Sequence, residues 1–323
     1  MKIMENESKN AKSLHEKRKA SYLLVDDYHK KFINPVTGVL FDHLKEERNC
    51  PVCHSSSGTH ILDKSASTYY RCNECSMVYL NPILNPQATI DYYTNLNTGQ
   101  GDTVSADSRF YTEIYTMGLD SIELHKKEGK ILDIGCSTGF FLDIAKCKGW
   151  DTAGIELGLD EAAKAEEKGH RIFKNTIDEL GDDEQFDAIT MWDVLEHIPD
   201  GIDQLNKIKS HLTDKGVLFF QIPNSDALAA KVMRGACRMF DGLEHTNLYN
   251  PKAVTLLAEK CGYAIKNIRS VISEIAVVNN YLDYLDPYFG TSQYENKVLN
   301  LFDEKFIHEN KIGYKLQVTL EKI

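Results

Sequence analysis

The chain has 323 residues, of which 42% are hydrophobic and 26% charged, as in a globular protein with one large or two average domains. Its net charge of −11 argues against a broad nucleic-acid-binding surface, which would normally be basic. No apolar run reaches the roughly 18 residues that a membrane span needs, and the polar N-terminus lacks the apolar core of a signal peptide. We therefore expect a cytoplasmic protein without membrane insertion.

The first predicted element is a polar N-terminal extension over residues 1–48, which we expect to be partly helical. Residues 49–85 carry four cysteines among alternating apolar positions, a pattern that favours short hairpins around a metal. Residues 86–128 predict a helical linker in which a polar loop separates two helical segments. This part of the chain thus predicts a small metal-binding module between an extension and a linker.

The four cysteines of this module form two C-x-x-C pairs, Cys50 with Cys53 and Cys72 with Cys75, separated by 18 residues. In a cytosolic chain this spacing is typical of zinc, which prefers four thiolates in a tetrahedron. Because protein ligands would fill all four positions, we expect a closed, structural Zn²⁺ site. Its binding energy would stabilise a module too small to fold by itself.

From residue 129 to residue 323, apolar strands alternate with helical segments of about 10–15 residues. This alternation predicts an α/β domain with a doubly wound, mostly parallel sheet covered by helices on both faces. A stretch around residues 225–250 has no clear period and predicts an insertion after the fifth strand.

The first strand of this domain runs into the turn ILDIGCSTGFFL at residues 131–142. In open parallel sheets a ligand binds beyond the carboxyl ends of the strands, near such a turn. The spacing G-C-S-T-G differs from the G-x-G-x-x-G pattern of dinucleotide sites, and Asp133 enters the turn where a pyrophosphate would lie. The carboxylate therefore disfavours a diphosphate and favours a cationic ligand.

A second acid, Glu156, ends the next predicted strand, 23 residues after Asp133. An acid at this position can accept hydrogen bonds from both hydroxyls of a ribose. A ligand that combines a ribose with a positive charge and has no phosphate is S-adenosylmethionine. Charge complementarity thus predicts S-adenosylmethionine as the ligand of the turn.

Four segments in this order, ILDIGCSTG, GIEL, FDAITMWDVLEHIPD and GVLFFQIPN, resemble the motifs of class I S-adenosylmethionine-dependent methyltransferases. The resemblance covers about residues 130–265. It implies a Rossmann-like, mostly parallel seven-stranded sheet whose last strand is antiparallel. The cofactor-binding residues that it implies by position are Asp133, Gly135, Cys136, Ser137, Gly139, Glu156, Leu157, Asn175, Thr176, Trp192 and Asp193.

Within this set, the resemblance places Asp133 and Gly135 at the methionine end of the cofactor and Glu156 at the ribose. The other implied contacts are Asn175 and Thr176 for the adenine, and Trp192 and Asp193 for the methyl-donor pocket. This sequence departs from the family pattern at Ser137, where a glycine is frequent, and at Asn175, where many members carry an acid.

The cysteine-rich segment CPVC…YRCNEC…VYLNP resembles the zinc ribbon of a methyltransferase subgroup. Some relatives of this subgroup act on nucleotide-linked sugars or other small metabolites, with the ribbon helping to cover the substrate. A few ribosomal-RNA methyltransferases also carry N-terminal zinc sites. The zinc module therefore leaves the substrate open.

Methyl transfer is an in-line displacement, so the protein must position the acceptor and remove its proton where needed. The insertion contains an adjacent pair, Glu244 and His245, in which a carboxylate can orient a histidine with a pKa near about 6.5. Such a pair has this role in the sugar C-methyltransferases that the insertion partly resembles. We predict both residues as catalytic; the alternative is that His245 and Asn247 only tie the loop to the following helix. His197, after the fourth strand, is expected to be structural.

The leading hypothesis is an enzyme that methylates an oxygen or carbon of a small-molecule acceptor, for example a nucleotide-linked sugar or a glycan precursor. One alternative is a zinc-ribbon RNA methyltransferase, which would need a basic strip that the net charge disfavours. Another is a non-catalytic cofactor-binding module, against which the intact Asp133, Gly139 and Glu156 argue.

Overall fold

A computed structural model of the protein describes residues 23–95, 108–174, 176–272 and 304–323. Asn175, one of the implied adenine contacts, lies outside these residues, as does almost all of the loop predicted inside the helical linker. Among the described residues, no helix is both long and apolar enough to span a lipid bilayer.

The N-terminal part of the described chain forms two small antiparallel sheets. Residues 23–29 are helical, and a 3₁₀ turn follows at Lys30–Phe32. The strands are β1 (Lys45–Glu46), β2 (Gly58–Lys64), β3 (Ser67–Cys72), β4 (Val78–Asn81) and β5 (Ile83–Leu84). Because β2, β3 and β4 pair as consecutive antiparallel neighbours, the hairpins predicted around the cysteines are confirmed.

Two helices connect this part to the large sheet: α1 (Pro86–Asn95) and α2 (Ser108–Glu123). At the start of α1, the side chain of Asn85 accepts a hydrogen bond of 2.9 Å from the Ala88 backbone N–H, as an N-cap does. Ile114, Leu119 and Ile122 of α2 are buried in a cluster with residues of the large sheet. The linker thus packs on the domain that it precedes.

The strands of the remaining chain are β6 (Lys130–Ile134), β7 (Asp151–Ile155), β8 (Arg171–Phe173), β9 (Phe186–Trp192), β10 (Leu212–Pro223), β11 (Asn247–Leu248), β12 (Tyr263–Val271) and β13 (Lys315–Lys322). The helices are α3 (Phe140–Cys147), α4 (Leu159–Glu167), α5 (Gly201–Ser210), α6 (Leu228–Met233), α7 (Pro251–Lys260) and α8 (Glu304–Glu309). Helices and strands alternate, as the sequence predicts.

Seven of these strands form one sheet in the order β12-β13-β10-β9-β6-β7-β8. The pairs from β10 to β8 are parallel, and β13 runs antiparallel to both of its neighbours. The predicted α/β class with an antiparallel last strand is therefore confirmed. The strand order reverses between β6 and β9, and in such sheets a crevice opens at the carboxyl ends of the two strands.

The short strand β11 lies in the predicted insertion but pairs with β4 of the N-terminal sheet, Asn247 opposite Tyr79 and Leu248 opposite Val78. Arg48 reinforces this junction, because its guanidinium donates to the Pro199 carbonyl at 3.0 Å and to the Asn247 side chain at 2.8 Å. The cysteine-rich segment and the insertion are thus joined by backbone and side-chain hydrogen bonds.

Candidate functional site

The turn between β6 and α3 has a backbone that favours glycine. Gly135 and Gly139 have φ of 75°, and Ser137 has φ of 48°, all in the left-handed region. Ser137 therefore adopts a glycine-like conformation at the position where the family often has glycine. A Cβ on Gly135 would lie 2.7 Å from Cγ2 of Val194, so bare backbone is needed for the turn to pack against the loop after β9.

Glu156 fastens this turn to the end of β7. Its carboxylate accepts hydrogen bonds from the backbone N–H of Ser137 at 2.8 Å and of Gly158 at 2.7 Å. Burial raises the pKa of Glu156, although the two backbone donors oppose the shift. Each carboxylate oxygen keeps a second acceptor site. The side chain is thus held in one orientation with capacity for further donors.

Asp133 lies beneath the turn and not within it. The residue is 2% exposed, and its Oδ1 accepts a hydrogen bond of 2.7 Å from the Thr190 hydroxyl. Burial raises the pKa of Asp133 to about 8. The sequence argument treats this carboxyl as an anion that faces the turn. The protonated form of this carboxyl is therefore favoured near neutral pH, and a cation bound beside it would favour the charged form.

Trp192 ends β9 inside an aromatic cluster. Its ring centroid lies 4.6 Å from that of Tyr115, 4.8 Å from Phe219 and 5.1 Å from Phe141. The residue is 8% exposed, and its Nε1 has no hydrogen-bond partner among the described residues. Trp192 is therefore a packed wall whose indole N–H is left for a ligand or a water.

Asp193 follows Trp192 with φ of 57° and is held by two side chains. Lys315 donates to its Oδ1 at 2.8 Å, and Gln221 donates to its Oδ2 at 3.3 Å. Lys315 is only 4% exposed. Sequence reasoning missed this lysine, because it starts the last strand, 122 residues from its partner, and no local pattern marks it.

The other predicted cofactor contacts that the structure describes lie along the same edge of the sheet. Cys136 is 5% exposed, with its Sγ 3.7 Å from the Ser137 carbonyl, whereas Leu157 is 47% exposed and Thr176 is exposed. The predicted cofactor contacts thus range from buried to exposed, and the two exposed residues lie just after β7 and β8.

Glu244 and His245 are neighbours in sequence, but their side chains have different partners. The Nδ1 of His245 lies 2.9 Å from the Met239 carbonyl and 3.0 Å from Oδ2 of Asp241. Glu244 instead accepts a short hydrogen bond from the Tyr92 hydroxyl. The expectation that Glu244 orients His245 is wrong in this geometry, because Asp241 provides the carboxylate.

Glu244 belongs to a separate buried group that includes the N-terminal extension. The Nε2 of His29 lies 3.8 Å from Oε1 of Glu244 and 3.0 Å from the Tyr92 hydroxyl. Burial opposes the charge of Glu244, yet His29, His197 and Tyr92 together lower its pKa to about 2. The carboxylate is therefore a fixed negative charge, and His29 is a contributor that the sequence did not single out.

A small, partly open cavity lies between α1, the loop after β9 and the insertion. Its polar wall includes Tyr92, Tyr93, His197, Glu244 and Thr246. The hydroxyl of Tyr93 lies 3.0 Å from Nδ1 of His197. Tyr92 and Tyr93 both lie on the wall of this cavity.

Beside the cavity, Glu196, His197 and His245 come together. Their ligand atoms all lie within 4.8 Å of one another, and the two imidazole centroids are 4.8 Å apart. Burial, reinforced by Asp193, raises the pKa of Glu196 to about 7 despite the nearby Lys315. The sequence analysis passed over Glu196, although its position beside a histidine just after a strand could have marked it.

The four predicted zinc ligands also converge. Cys50 Sγ lies 3.4 Å from Cys75 Sγ, Cys53 Sγ lies 3.4 Å from Cys72 Sγ, and all four sulfurs are within 4.8 Å of one another. A tetrahedral Zn²⁺ with bonds of about 2.3 Å would put its sulfurs about 3.8 Å apart. The four cysteines are free thiols in the structure, so the donor set fits a closed zinc site.

The sheet order, the glycine turn at its switch point and the acid after β7 define the fold of class I methyltransferases. Residues 111–267 match a family model described as a methyltransferase domain. This part of the chain is therefore similar to the methyltransferase domain family.

Parts of the chain are similar in sequence to known proteins. It is 36% identical over 107 residues to a ubiquinone biosynthesis O-methyltransferase of Actinobacillus pleuropneumoniae, which covers 29% of this chain and 46% of that protein. It is 30% identical over 123 residues to an uncharacterized protein of Methanocaldococcus jannaschii, covering 38% of this chain and 52% of that protein. The chain thus spans about half the length of the curated relatives it matches.

A solved structure, an S-adenosylmethionine-dependent methyltransferase from Archaeoglobus fulgidus, aligns with a TM-score of 0.47 at 18% identity. The alignment covers 65% of this chain and 94% of that one.

Proposed function

We propose that the protein transfers a methyl group from S-adenosylmethionine to an oxygen or carbon of a small-molecule acceptor. The observation that carries this proposal is Glu156, held by the glycine turn and by Gly158 at the switch point of a methyltransferase-family domain. The relatives named as O-methyltransferases support the reaction type.

The cofactor would lie along the carboxyl ends of β6 to β9. In this proposal the turn at Gly135 receives the methionine end, above the buried Asp133, and Glu156 binds the ribose hydroxyls. The adenine would extend toward Thr176, and the methyl-donor end toward Trp192. A buried carboxyl under the turn suits a ligand with an ammonium and a sulfonium better than one with a diphosphate.

The acceptor would bind at the small cavity beside Tyr92 and Glu244. Its wall combines a carboxylate, tyrosines and a threonine with apolar leucines, which suits a ring that carries hydroxyl groups. A nucleotide-linked sugar or a glycan precursor is the proposed class of acceptor. Glu244 and His245 are the proposed catalytic residues, with Asp241 positioning His245.

Structural zinc at Cys50, Cys53, Cys72 and Cys75 completes the proposal. Four thiolates would leave no open position on the metal, so this zinc would stabilise the fold and take no part in methyl transfer. The division into an extension, a zinc module, a linker and a methyltransferase domain is proposed along with it.

Two measurements test the function together. Calorimetry with S-adenosylmethionine and, separately, with NADH should detect binding of the first alone. Transfer of radiolabelled methyl groups should then be followed with nucleotide sugars, hydroxylated aromatics and RNA as acceptors. Binding of NADH in place of S-adenosylmethionine would refute the proposal, and labelling of RNA alone would replace the small-molecule acceptor.

Alanine in place of Glu156 should weaken S-adenosylmethionine binding by about 1–3 kcal/mol, the usual cost of losing charge-assisted hydrogen bonds. The variant also loses the acceptor that fixes the backbone of Ser137. Calorimetry would measure the effect, with the exposed Glu167→Ala on α4 as the matched control. Equal affinity of Glu156→Ala and the wild type would contradict the ribose role.

Affinity for S-adenosylmethionine should depend on pH through Asp133. The Asp133 carboxyl binds a proton when the pH is below its pKa of about 8. The positively charged S-adenosylmethionine must displace this proton when it binds. Wild-type affinity should therefore fall as pH drops below 8, by up to about tenfold per pH unit. Asp133→Asn keeps an acceptor for Thr190 and should bind more weakly at pH 8, with a flatter profile. Parallel profiles for the two proteins would rule out this linkage.

A further inference from the structure

Glu196 is a polar group that the proposed methyl transfer leaves unexplained. It lies in the 3₁₀ turn after β9, it is 0% exposed, and neither of its carboxylate oxygens has a hydrogen-bond partner in the described ranges. An ionised carboxylate buried without a partner costs roughly several kcal/mol. Buried polar atoms of native proteins are almost always paired, so a group that interacts with these oxygens is expected.

Two histidines flank this carboxylate with their outer nitrogens already engaged. The Nδ1 of His197 meets the Tyr93 hydroxyl at 3.0 Å, and the Nδ1 of His245 meets Oδ2 of Asp241 at 3.0 Å. The Nε2 atoms are then the nitrogens that could serve a ligand within the cluster. In metal sites, such outer hydrogen bonds from a carboxylate or hydroxyl fix the ring and its tautomer.

The charges around the cluster favour a divalent cation. Lys315 is the buried cation nearby, but it is paired with Asp193 at 2.8 Å, and the two charges offset each other. Glu196 and Asp241 place two carboxyl groups next to the two imidazoles, and the negative charge of Glu244 also acts on His197. A divalent ion would offset this excess of acidic groups.

We propose that Glu196, His197 and His245 bind a divalent first-row transition-metal ion, at a site distinct from the cysteine quartet. Two imidazoles and one carboxylate suit ions such as Mn²⁺, Fe²⁺ or Co²⁺, and three protein ligands leave coordination positions open. The bound ion would draw the ligand atoms together from their present separations of up to 4.8 Å.

The position of His197 connects this site to the acceptor, because the residue also lines the cavity. An open coordination position toward the cavity would take an oxygen of the acceptor, and a metal ion lowers the pKa of a hydroxyl that it binds. His245 would then act on the acceptor through the ion. The inference rests on the proposed function for this role, whereas the site itself rests on the cluster alone.

The test is a titration of the full-length, zinc-containing protein with Mn²⁺, followed by electron paramagnetic resonance, which separates free from bound ion. We expect one Mn²⁺ per chain, and a loss of affinity of roughly tenfold or more in Glu196→Gln. Asp241→Asn changes the outer partner of His245 and keeps Oδ1 as an acceptor for the backbone N–H groups of Leu243 and Glu244; it should weaken binding by roughly 10–100-fold. The matched control is His211→Gln, a histidine that is buried outside the cluster and should leave Mn²⁺ binding unchanged.

Glutamine at position 196 removes the buried charge and keeps the shape, so the metal-free variant should unfold at the same temperature as the wild type or higher. A loss of Mn²⁺ binding would then report the site and not misfolding. Absence of bound Mn²⁺ in the wild type, or equal binding by Glu196→Gln, would overturn the proposal. If the protein transfers methyl groups but does not bind Mn²⁺, the metal site is refuted and the proposed function stands. If it binds Mn²⁺ through Glu196 but does not bind S-adenosylmethionine, the metal site stands and the proposed function is refuted.

Discussion

Alanine in place of His245 is expected to lower the rate of methyl transfer by about 10²–10⁴-fold, the range for losing a group that acts on the proton of the acceptor. The imidazole is held by Asp241 and the Met239 carbonyl and contacts the ring of His197 beside the cavity. The imidazole is therefore held in one orientation next to His197, which lines the cavity.

The affinity for S-adenosylmethionine should change little in His245→Ala, because the implied cofactor contacts come from β6 to β9 and not from the insertion. Turnover and cofactor affinity would be measured on the same preparation, with His60→Ala as the control, since His60 is exposed and pairs with Asp63 on β2. If His245→Ala turns over at nearly the wild-type rate, His245 has a structural role and not a catalytic one.

Serine in place of Cys72 should release the zinc and lower the free energy of unfolding by roughly 2–5 kcal/mol. Cys50, Cys72 and Cys75 are buried in one hydrophobic cluster with Tyr249 and residues of the large sheet, and the half-buried Cys53 packs against it. Loss of the metal should therefore loosen more than the N-terminal sheet. Metal analysis and thermal unfolding would measure the two effects.

Cys147→Ser, at an exposed cysteine on α3, is the matched control and should keep both zinc and stability. The structure also predicts how Cys72→Ser affects activity: turnover should fall more than affinity for S-adenosylmethionine, because β4 borders the insertion through β11. A wild-type protein that is isolated without zinc, and loses none in the variant, would remove the zinc site.

The fold was predictable because its signals are local. Apolar strands such as KILDI and VLFFQIP carry their own pattern, and each is followed or preceded by a helical segment of ordinary length. The pairing of β11 with β4 was not predictable. A two-residue strand has no periodicity, and its partner is about 170 residues away along the chain.

The site divides in the same way. The glycine turn and Glu156 follow from spacing after two strands, because the carboxyl ends of parallel strands meet at one edge. The protonation state of Asp133 does not follow from spacing, since the pKa of this carboxyl depends on its burial beneath the turn. The partner of His245 was misjudged because adjacency in sequence suggested Glu244, whereas the backbone between them turns the two side chains to different neighbours.

The strand shared by the insertion and the N-terminal sheet has a consequence for how this protein can change. A chain cut before β6 would leave β11 with unsatisfied backbone groups and remove one side of the acceptor cavity, inviting aggregation along the bared edge. An exchange of the cysteine-rich segment with that of a relative would also change the partner strand of β11, next to the proposed acceptor site. Substrate preference and the N-terminal segment should therefore diverge together in evolution and be swapped together in engineered chimeras.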